Sequence, residues 1–312
     1  MKYYIVPDEN ARYYSRRNIG IFKAVSGGRC EAELIVKGGC EGFGLYRDDT
    51  THIICADQEN NIIYSQSGRQ PFTVISGKAD VRPYDFTLTS INGFLDLFYK
   101  TDFENNTFLF HCMLGSSEKP YAVSQLSKEH TGYCIGGGRA YFTSAKDGFG
   151  YVDMTRGKPR EHIKICDCAD DPCCVEACGE LHMTYTDDGS VFVDSKSVIS
   201  DRFAEKPVLF FQGGKYILQW LSGGKVKYSV SSDCETWSAP MRYIGSEREP
   251  CIIEFAQKNN VYRCYGSVTS PYSSPKGDVE RELEEIKQQL DKLKKEIKKL
   301  NSTNYFTDFE RK

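Results

Sequence analysis

The sequence predicts an all-β fold: a six-bladed β-propeller closed by its N-terminal strands, followed by a C-terminal α-helical coiled coil. Three observations predict it. Period-two alternation runs through roughly residues 1–270, tight-turn pairs recur at near-constant spacing, and the period changes to a heptad after residue 277. The 20 Tyr and 18 Phe agree, because aromatic side chains suit a pleated, half-buried surface.

The turns carry most of the argument. Asp48-Asp49, Asn92-Gly93, Gly137-Gly138, Gly179, Gly213-Gly214 and Asn259-Asn260 each separate two strand-like runs, at successive spacings of 44, 45, 41, 35 and 46 residues. Within 10 to 13 residues of the first five comes a second turn: Asn60-Asn61, Asn105-Asn106, Asp147-Gly148, Asp188-Gly189 and Gly223-Gly224. Two-residue hairpin turns need positive φ, which Gly, Asn and Asp adopt at low cost. A looser fourth run ends the unit, as at Phe72-Thr73-Val74-Ile75 and Tyr121-Ala122-Val123. Four antiparallel strands repeating every ~40–45 residues make one propeller blade.

The sixth unit lacks a second strand pair. After Val261-Tyr262-Arg263-Cys264-Tyr265 the chain enters the Ser/Pro-rich stretch Ser270-Pro271-Tyr272-Ser273-Ser274-Pro275. Surplus strand-like runs stand at the other end: Tyr3-Tyr4-Ile5-Val6, Arg12-Tyr13-Tyr14-Ser15 and Ile19-Gly20-Ile21-Phe22. The expectation is that these supply the outer half of the last blade, which leaves no open edge in the ring.

The helical part follows. Val279, Leu283, Ile286, Leu290, Leu293, Ile297 and Leu300 are spaced 4, 3, 4, 3, 4 and 3, a heptad seam with Leu283, Leu290 and Ile297 at a. Asp278 can cap this helix, and its acidic start and basic end suit the helix dipole. The expected organisation is a propeller over 1–270, a linker over 271–277, an oligomerisation helix over 278–300 and a tail over 301–312. The seam would gather copies of the chain, with a trimer favoured over a dimer.

Composition narrows the function. The 312 residues carry 40 Lys plus Arg and 43 Asp plus Glu, a net charge of −3, so no basic face for nucleic acid is expected. No apolar run approaches the ~20 residues of a membrane span. The acidic Asp8 arrives too early for a signal peptide, which predicts a cytoplasmic protein, with release or assembly on a particle or surface left open. The 13 cysteines are then thiols, most of them small buried hydrophobes in strands, such as Cys55 and Cys264. No phosphate loop or paired metal-binding His motif is present, and no cofactor is expected.

Residues Ser231, Asp233, Thr236 and Trp237, within Tyr228-Ser229-Val230-Ser231-Ser232-Asp233-Cys234-Glu235-Thr236-Trp237, resemble the Asp-box of sialidase-like β-propellers. That family's box is Ser-x-Asp-x-Gly-x-Thr-Trp; here the Gly is missing and the Asp-to-Trp distance is one residue short. The resemblance covers the propeller architecture and one motif. It implies a structural turn between the outer two strands of a blade, with the Asp binding turn amides and the Trp packed between strands.

Charged residues precede three expected inner strands: Arg82-Pro83-Tyr84-Asp85, Glu205-Lys206-Pro207 and Arg248-Glu249-Pro250. Concave propeller mouths suit sugars or peptides, which makes Arg82, Tyr84, Asp85, Glu205, Lys206, Arg248 and Glu249 the candidate ligand-binding residues. For each one singly, a surface position near a strand start is the better reading. The leading expectation is a non-enzymatic, oligomeric binding or assembly protein that recognises a glycan or a protein. Its rival is a sialidase-like glycoside hydrolase acting through the funnel carboxylates Asp85, Glu205 and Glu249. The run from His162 to His182 holds Cys166, Cys168, Cys173, Cys174 and Cys178. It lacks paired zinc knuckles and is first a set of structural thiols; its alternative is a metal site formed by Cys166, Cys168, Cys173 and Cys174.

Overall fold

The computed structural model describes residues 3–6, 11–16, 19–25, 32–158, 161–243, 251–257 and 260–266. Arg248, Glu249, Asn259, the linker 271–277, the heptad segment 278–300 and the tail 301–312 lie outside the described residues.

All regular structure among the described residues is β. The chain begins with β1 (Tyr3–Val6), β2 (Ala11–Arg16), β3 (Gly20–Val25) and β4 (Glu33–Lys37). The first four-stranded sheet is β5 (Cys40–Arg47), β6 (Thr50–Ala56), β7 (Ile62–Gln66) and β8 (Phe72–Ile75). The second is β9 (Pro83–Ile91), β10 (Phe94–Phe103), β11 (Asn106–Met113) and β12 (Tyr121–Gln125). The third is β13 (Tyr133–Gly136), β14 (Arg139–Ser144), β15 (Gly148–Asp153) and β16 (Ile163–Cys166). The fourth is β17 (Asp170–Ala177), β18 (Glu180–Asp187), β19 (Ser190–Val193) and β20 (Lys196–Ser200). The fifth is β21 (Ala204–Gln212), β22 (Lys215–Ser222), β23 (Lys225–Ser231) and β24 (Met241–Arg242). Finally β25 (Cys251–Gln257) and β26 (Asn260–Gly266) join β1–β4 in a sixth sheet, ordered β26-β25-β1-β2-β3-β4.

The turn chemistry explains the hairpins. Asp48 and Asp49 take φ of 50° and 56° between β5 and β6, and Gly213 and Gly214 take 57° and 76° between β21 and β22. Two successive positive φ values match the right-handed twist of the flanking strands. Two expected second turns shift. Glu104 and Asn105 make the turn where Asn105-Asn106 is expected, and Asn106 opens β11. Asn60-Asn61 belongs to a longer loop, in which the Asp57 carboxylate accepts the amides of Glu59 at 3.0 Å and Asn61 at 2.8 Å.

The six sheets form a ring. Their central strands β5, β9, β13, β17, β21 and β26 contact one another in succession, and β26 returns to β5. Apolar clusters fill the seams. Leu45 and Ile54 meet Phe86 and Leu97 between the first and second sheets. Phe98 and Leu109 meet Phe142 and Val152 in the next seam, and Phe149 meets Met183 and Tyr185 in the third. Val191 and Val193 face Leu218 and Trp220, Val208 faces Tyr265, and Ile21 and Val36 meet Ile53 and Cys55 to close the circle. The core therefore lies between blades, as expected where each sheet buries both faces against its neighbours.

Closure occurs through the expected strands with one departure. β1 pairs with β25 in parallel, Tyr3 with Ile253, Tyr4 with Glu254 and Ile5 with Phe255, so the N-terminal strands do supply the outer part of the last blade. In the first five sheets the earliest strand is central; in the sixth it is the later strand, β26. A hairpin with its second strand at the centre frees the outer edge of its first strand for β1. The premise that Arg248-Glu249-Pro250 leads into a central strand is thereby corrected, because β25 is second from the centre.

Candidate functional site

Three central strands begin with the same irregularity. Asp85 in β9, Asp171 in β17 and Lys206 in β21 have φ of 52°, 46° and 48°, each where the pairing with the next strand shifts register. These are β-bulges, which re-aim side chains at the rim of a ring. Neighbouring blades tie them together. The Tyr133 hydroxyl donates a short hydrogen bond to the Asp85 carbonyl, and the Tyr265 hydroxyl donates to the Lys206 carbonyl at 2.8 Å. The Lys206 amide donates to the Asp171 carboxylate. Asp171 is solvent-accessible, yet the surrounding blades still push its carboxyl up, against the pull of Lys206.

Lys100 organises the second blade's part of this mouth. Only 6% exposed, it pairs with Asp85 at 2.8 Å and donates to the Thr131 carbonyl at 3.1 Å. It also lies 5.4 Å and 5.8 Å from the ring centroids of Tyr84 and Tyr133. A buried ammonium is tolerated because charge, carbonyl and ring faces together replace its water. Tyr84 donates to Asp102 at 2.9 Å, and its hydroxyl is pushed up to about 12 by burial and by that carboxylate.

The structure thus brings Tyr84 and Asp85 together around Lys100, while Glu205 and Lys206 sit exposed at the start of β21 and Arg82 is exposed beside β9. The Asp85 carboxylate, a catalytic candidate by sequence, is the counter-ion of Lys100 here. Sequence reasoning misses Arg263. It lines the central channel and donates to Glu254 at 3.1 Å, and the carboxylates of Glu254 and Asp85 favour its charge against its enclosure. Only its place on the innermost β26 gives it this role, and the reversed order of the sixth sheet hides that place from the sequence. The channel behind it is a cavity of about 370 Å³ reaching Arg47, Gly137 and Glu176.

A wider cleft, of about 940 Å³, opens between the first and second sheets. Tyr99, Phe103, Phe108 and Phe110 line it with Lys119 and Pro83. Tyr99 stacks on Phe110 at 5.5 Å and forms its buried wall, whereas Phe103 is 56% exposed. Alternation on β11 places Phe108 and Phe110 on one face of the sheet, a signal that the sequence carries.

The cysteines do not converge as the metal alternative requires. Cys166 donates to the Cys168 carbonyl at 3.1 Å, and Cys168 donates to Asp187 at 3.3 Å. Cys173 and Cys174, adjacent in β17, point to opposite faces. Cys173 joins the apolar seam with Val208 and Tyr265, and Cys174 donates to the Ile135 carbonyl at 3.1 Å. Among the described residues the metal-ligand side chains that do come together are His182, Asp194 and Cys234.

The 231–237 turn is organised by the Asp233 carboxylate. Asp233 accepts the amides of Thr236 at 2.8 Å and Glu235 at 2.9 Å and the Ser231 hydroxyl at 2.8 Å, which hold its carboxyl down at about 2. It lies between β23 and β24, with Trp237 packed against the seam of the fourth and fifth sheets. Such a turn is structural and carries no activity of its own.

The fold is that of six-bladed propellers. It is similar to the BP39L lectin from Burkholderia pseudomallei, at a TM-score of 0.54 and 9% identity over 78% of this chain and 84% of that one. It is similar also to BBS1N solved with ARL6DN (0.52; 10% identity; 72% and 75% covered) and to the AfRom2 CNH domain (0.51; 9% identity; 84% and 93% covered). At these identities the likeness is one of fold. No protein-family model and no curated protein sequence matches the chain.

Proposed function

We propose that the protein is a non-enzymatic recognition module that binds a glycan, with the blade 1–blade 2 cleft and the adjoining mouth as its binding surface. The observation that carries this is the cleft itself. An exposed ring, Phe103, stands over a wall of Tyr99, Phe108 and Phe110, with Pro83 and the cation Lys119 beside it. Aromatic faces stack on the C–H faces of sugar rings, while a few polar groups at the edge fix orientation. The fold it shares with a bacterial propeller lectin supports the same reading. Arg82 and Tyr84, flanking Pro83, would extend the surface toward the mouth, where Asp85, Glu205 and Lys206 add charge. A protein ligand is the competing occupant and an outcome of the test.

Copies gathered through the 278–300 heptads would raise the avidity of weak sites. Arg248 and Glu249 stay candidate rim contacts in this scheme. A glycan and peptide array probed with the full chain identifies the ligand class, and titration calorimetry then compares Phe103→Ala with the parent. The expected result is glycan binding that weakens by about tenfold, with the unfolding free energy held within about 0.5 kcal/mol because the side chain is exposed. Unchanged affinity in Phe103→Ala would reject the cleft; binding to peptides alone would reject the glycan.

A further inference from the structure

Where the fourth and fifth sheets meet, an imidazole is held with one nitrogen committed and the other waiting. His182 in β18 is 8% exposed. Its Nδ1 donates to Asp194 Oδ2 at 2.6 Å, since a carboxylate only accepts, which leaves Nε2 as the nitrogen that can take a ligand. That Nε2 is buried and makes no hydrogen bond. The Glu180 Oε2 stands 3.6 Å from it, beyond hydrogen-bond distance. Asp194 is itself fixed by the Met183 amide, which donates to Oδ1 at 2.9 Å, and by a backbone φ of 49°. A carboxylate locking the far nitrogen of a histidine is the outer-shell arrangement that metal-binding imidazoles use.

A sulfur stands opposite. Cys234, buried in the Asp-box-like turn of the fifth sheet, brings its Sγ within 4.8 Å of both a His182 nitrogen and an Asp194 oxygen. In a tetrahedral zinc site with bonds of about 2.0–2.3 Å the ligand atoms stand about 3.5 Å apart, so the turn residues need close by only about 1 Å. The Tyr216 ring packs edge-on against His182 at 4.8 Å, and its hydroxyl senses Cys178, Cys234 and Glu180 together. Cys178, in the β17–β18 turn, thus lies at the rim of the same cluster. A divalent cation binds such a sulfur as the thiolate and releases its proton. Glu180 is exposed, which leaves a path for the ion to enter.

We propose that His182 and Cys234, the nitrogen and sulfur of this cluster, bind a borderline divalent cation, zinc foremost, with Asp194 as the positioning partner of the ring and the exposed Glu180 carboxylate, 3.6 Å from Nε2, swinging in as the third ligand. One nitrogen, one thiolate and a carboxylate suit zinc better than magnesium or calcium, which take oxygen ligands. Binding exchanges one thiol proton for the metal and needs no redox partner.

Full-chain protein, reduced and stripped of metal, is titrated with cobalt(II) and then with zinc. The proposal expects one ion per chain, visible tetrahedral cobalt bands, a thiolate-to-cobalt charge-transfer band, and displacement by zinc. Cys234→Ser abolishes the charge-transfer band, Asp194→Asn weakens binding by about 10–100-fold, and Cys166→Ser/Cys168→Ser changes nothing. Glu180→Gln, at an exposed position, keeps the test open should Cys234→Ser fail to fold, and it weakens binding too. Absence of the bands, their survival in Cys234→Ser, their loss in Cys166→Ser/Cys168→Ser, or a Cys178–Cys234 disulfide in the native protein overturns the proposal.

Discussion

Two seams of the same ring show how one architecture is put to different ends. Between the fourth and fifth sheets the seam around Trp220 is closely packed. Trp220 is completely buried against Val191 and Val193, its indole N–H donates to Asp201 at 3.0 Å, and Ser222 and Lys227 converge on the same carboxylate at 3.0 Å and 2.9 Å. Between the first and second sheets the inner part packs as well, through Phe86 and Leu97, but the outer part stays open and exposes aromatic surface. Blade repetition sets where seams occur. Whether a seam is filled depends on side chains far out along the strands, beyond what the repeat dictates.

The largest test of this contrast is Trp220→Ala. In a close-packed seam with a cross-blade hydrogen bond it should cost about 3–5 kcal/mol, read as a lower urea midpoint. A cost as small as that of Phe103→Ala would mean the two seams do not differ.

A second, smaller effect separates the seams by pH. Burial pushes the Asp201 carboxyl up, but donors from Trp220, Lys227, Ser222 and the Phe203 amide outweigh this and hold it at about 2, below its ordinary 3.8. A depressed carboxyl stabilises the fold fully above about pH 4 and loses that contribution as pH falls through 2. Thermal melts from pH 5 to pH 2, a range set by those two values, should therefore decline more steeply for the parent than for Asp201→Asn. Equal slopes would show that the cross-seam carboxylate does not link proton binding to stability.

The smallest effect is local. Asp233→Ala should speed amide exchange at Glu235 and Thr236, whose N–H groups lose their acceptor, while the global unfolding midpoint stays put. Exchange that accelerates throughout the fifth sheet would mean that this turn, and with it Cys234, supports the seam rather than decorating it.

Much of the ring was legible because turns are local chemistry. Asp48-Asp49, Asn92-Gly93 and Gly213-Gly214 adopt positive φ whatever lies far away, so their spacing reports blades directly. The surplus strands near Tyr3 and Tyr13 likewise announced closure. The order within the last sheet was not legible, since either strand of a hairpin satisfies the same alternation. The site was legible only in pieces. Asp85 and Lys206 stood out as charges before strands, but the buried Lys100 that turns Asp85 into a counter-ion lies on a different strand. The cysteine run drew attention to Cys166, Cys168, Cys173 and Cys174, whereas the convergent groups are His182, Asp194 and Cys234, drawn from two blades. No spacing rule links residues that only the seam brings together.

The parallel pairing of β1 with β25 has a consequence for synthesis on the ribosome. The earliest strands to emerge must wait unpaired along that edge until almost the whole body has been translated. Five sheets can assemble as they appear, but the circle locks only at the end, so folding here is paced by its most sequence-distant contact. A truncation that removes either terminus should leave an open arc with an unprotected edge, prone to join another such arc instead of its own missing strands.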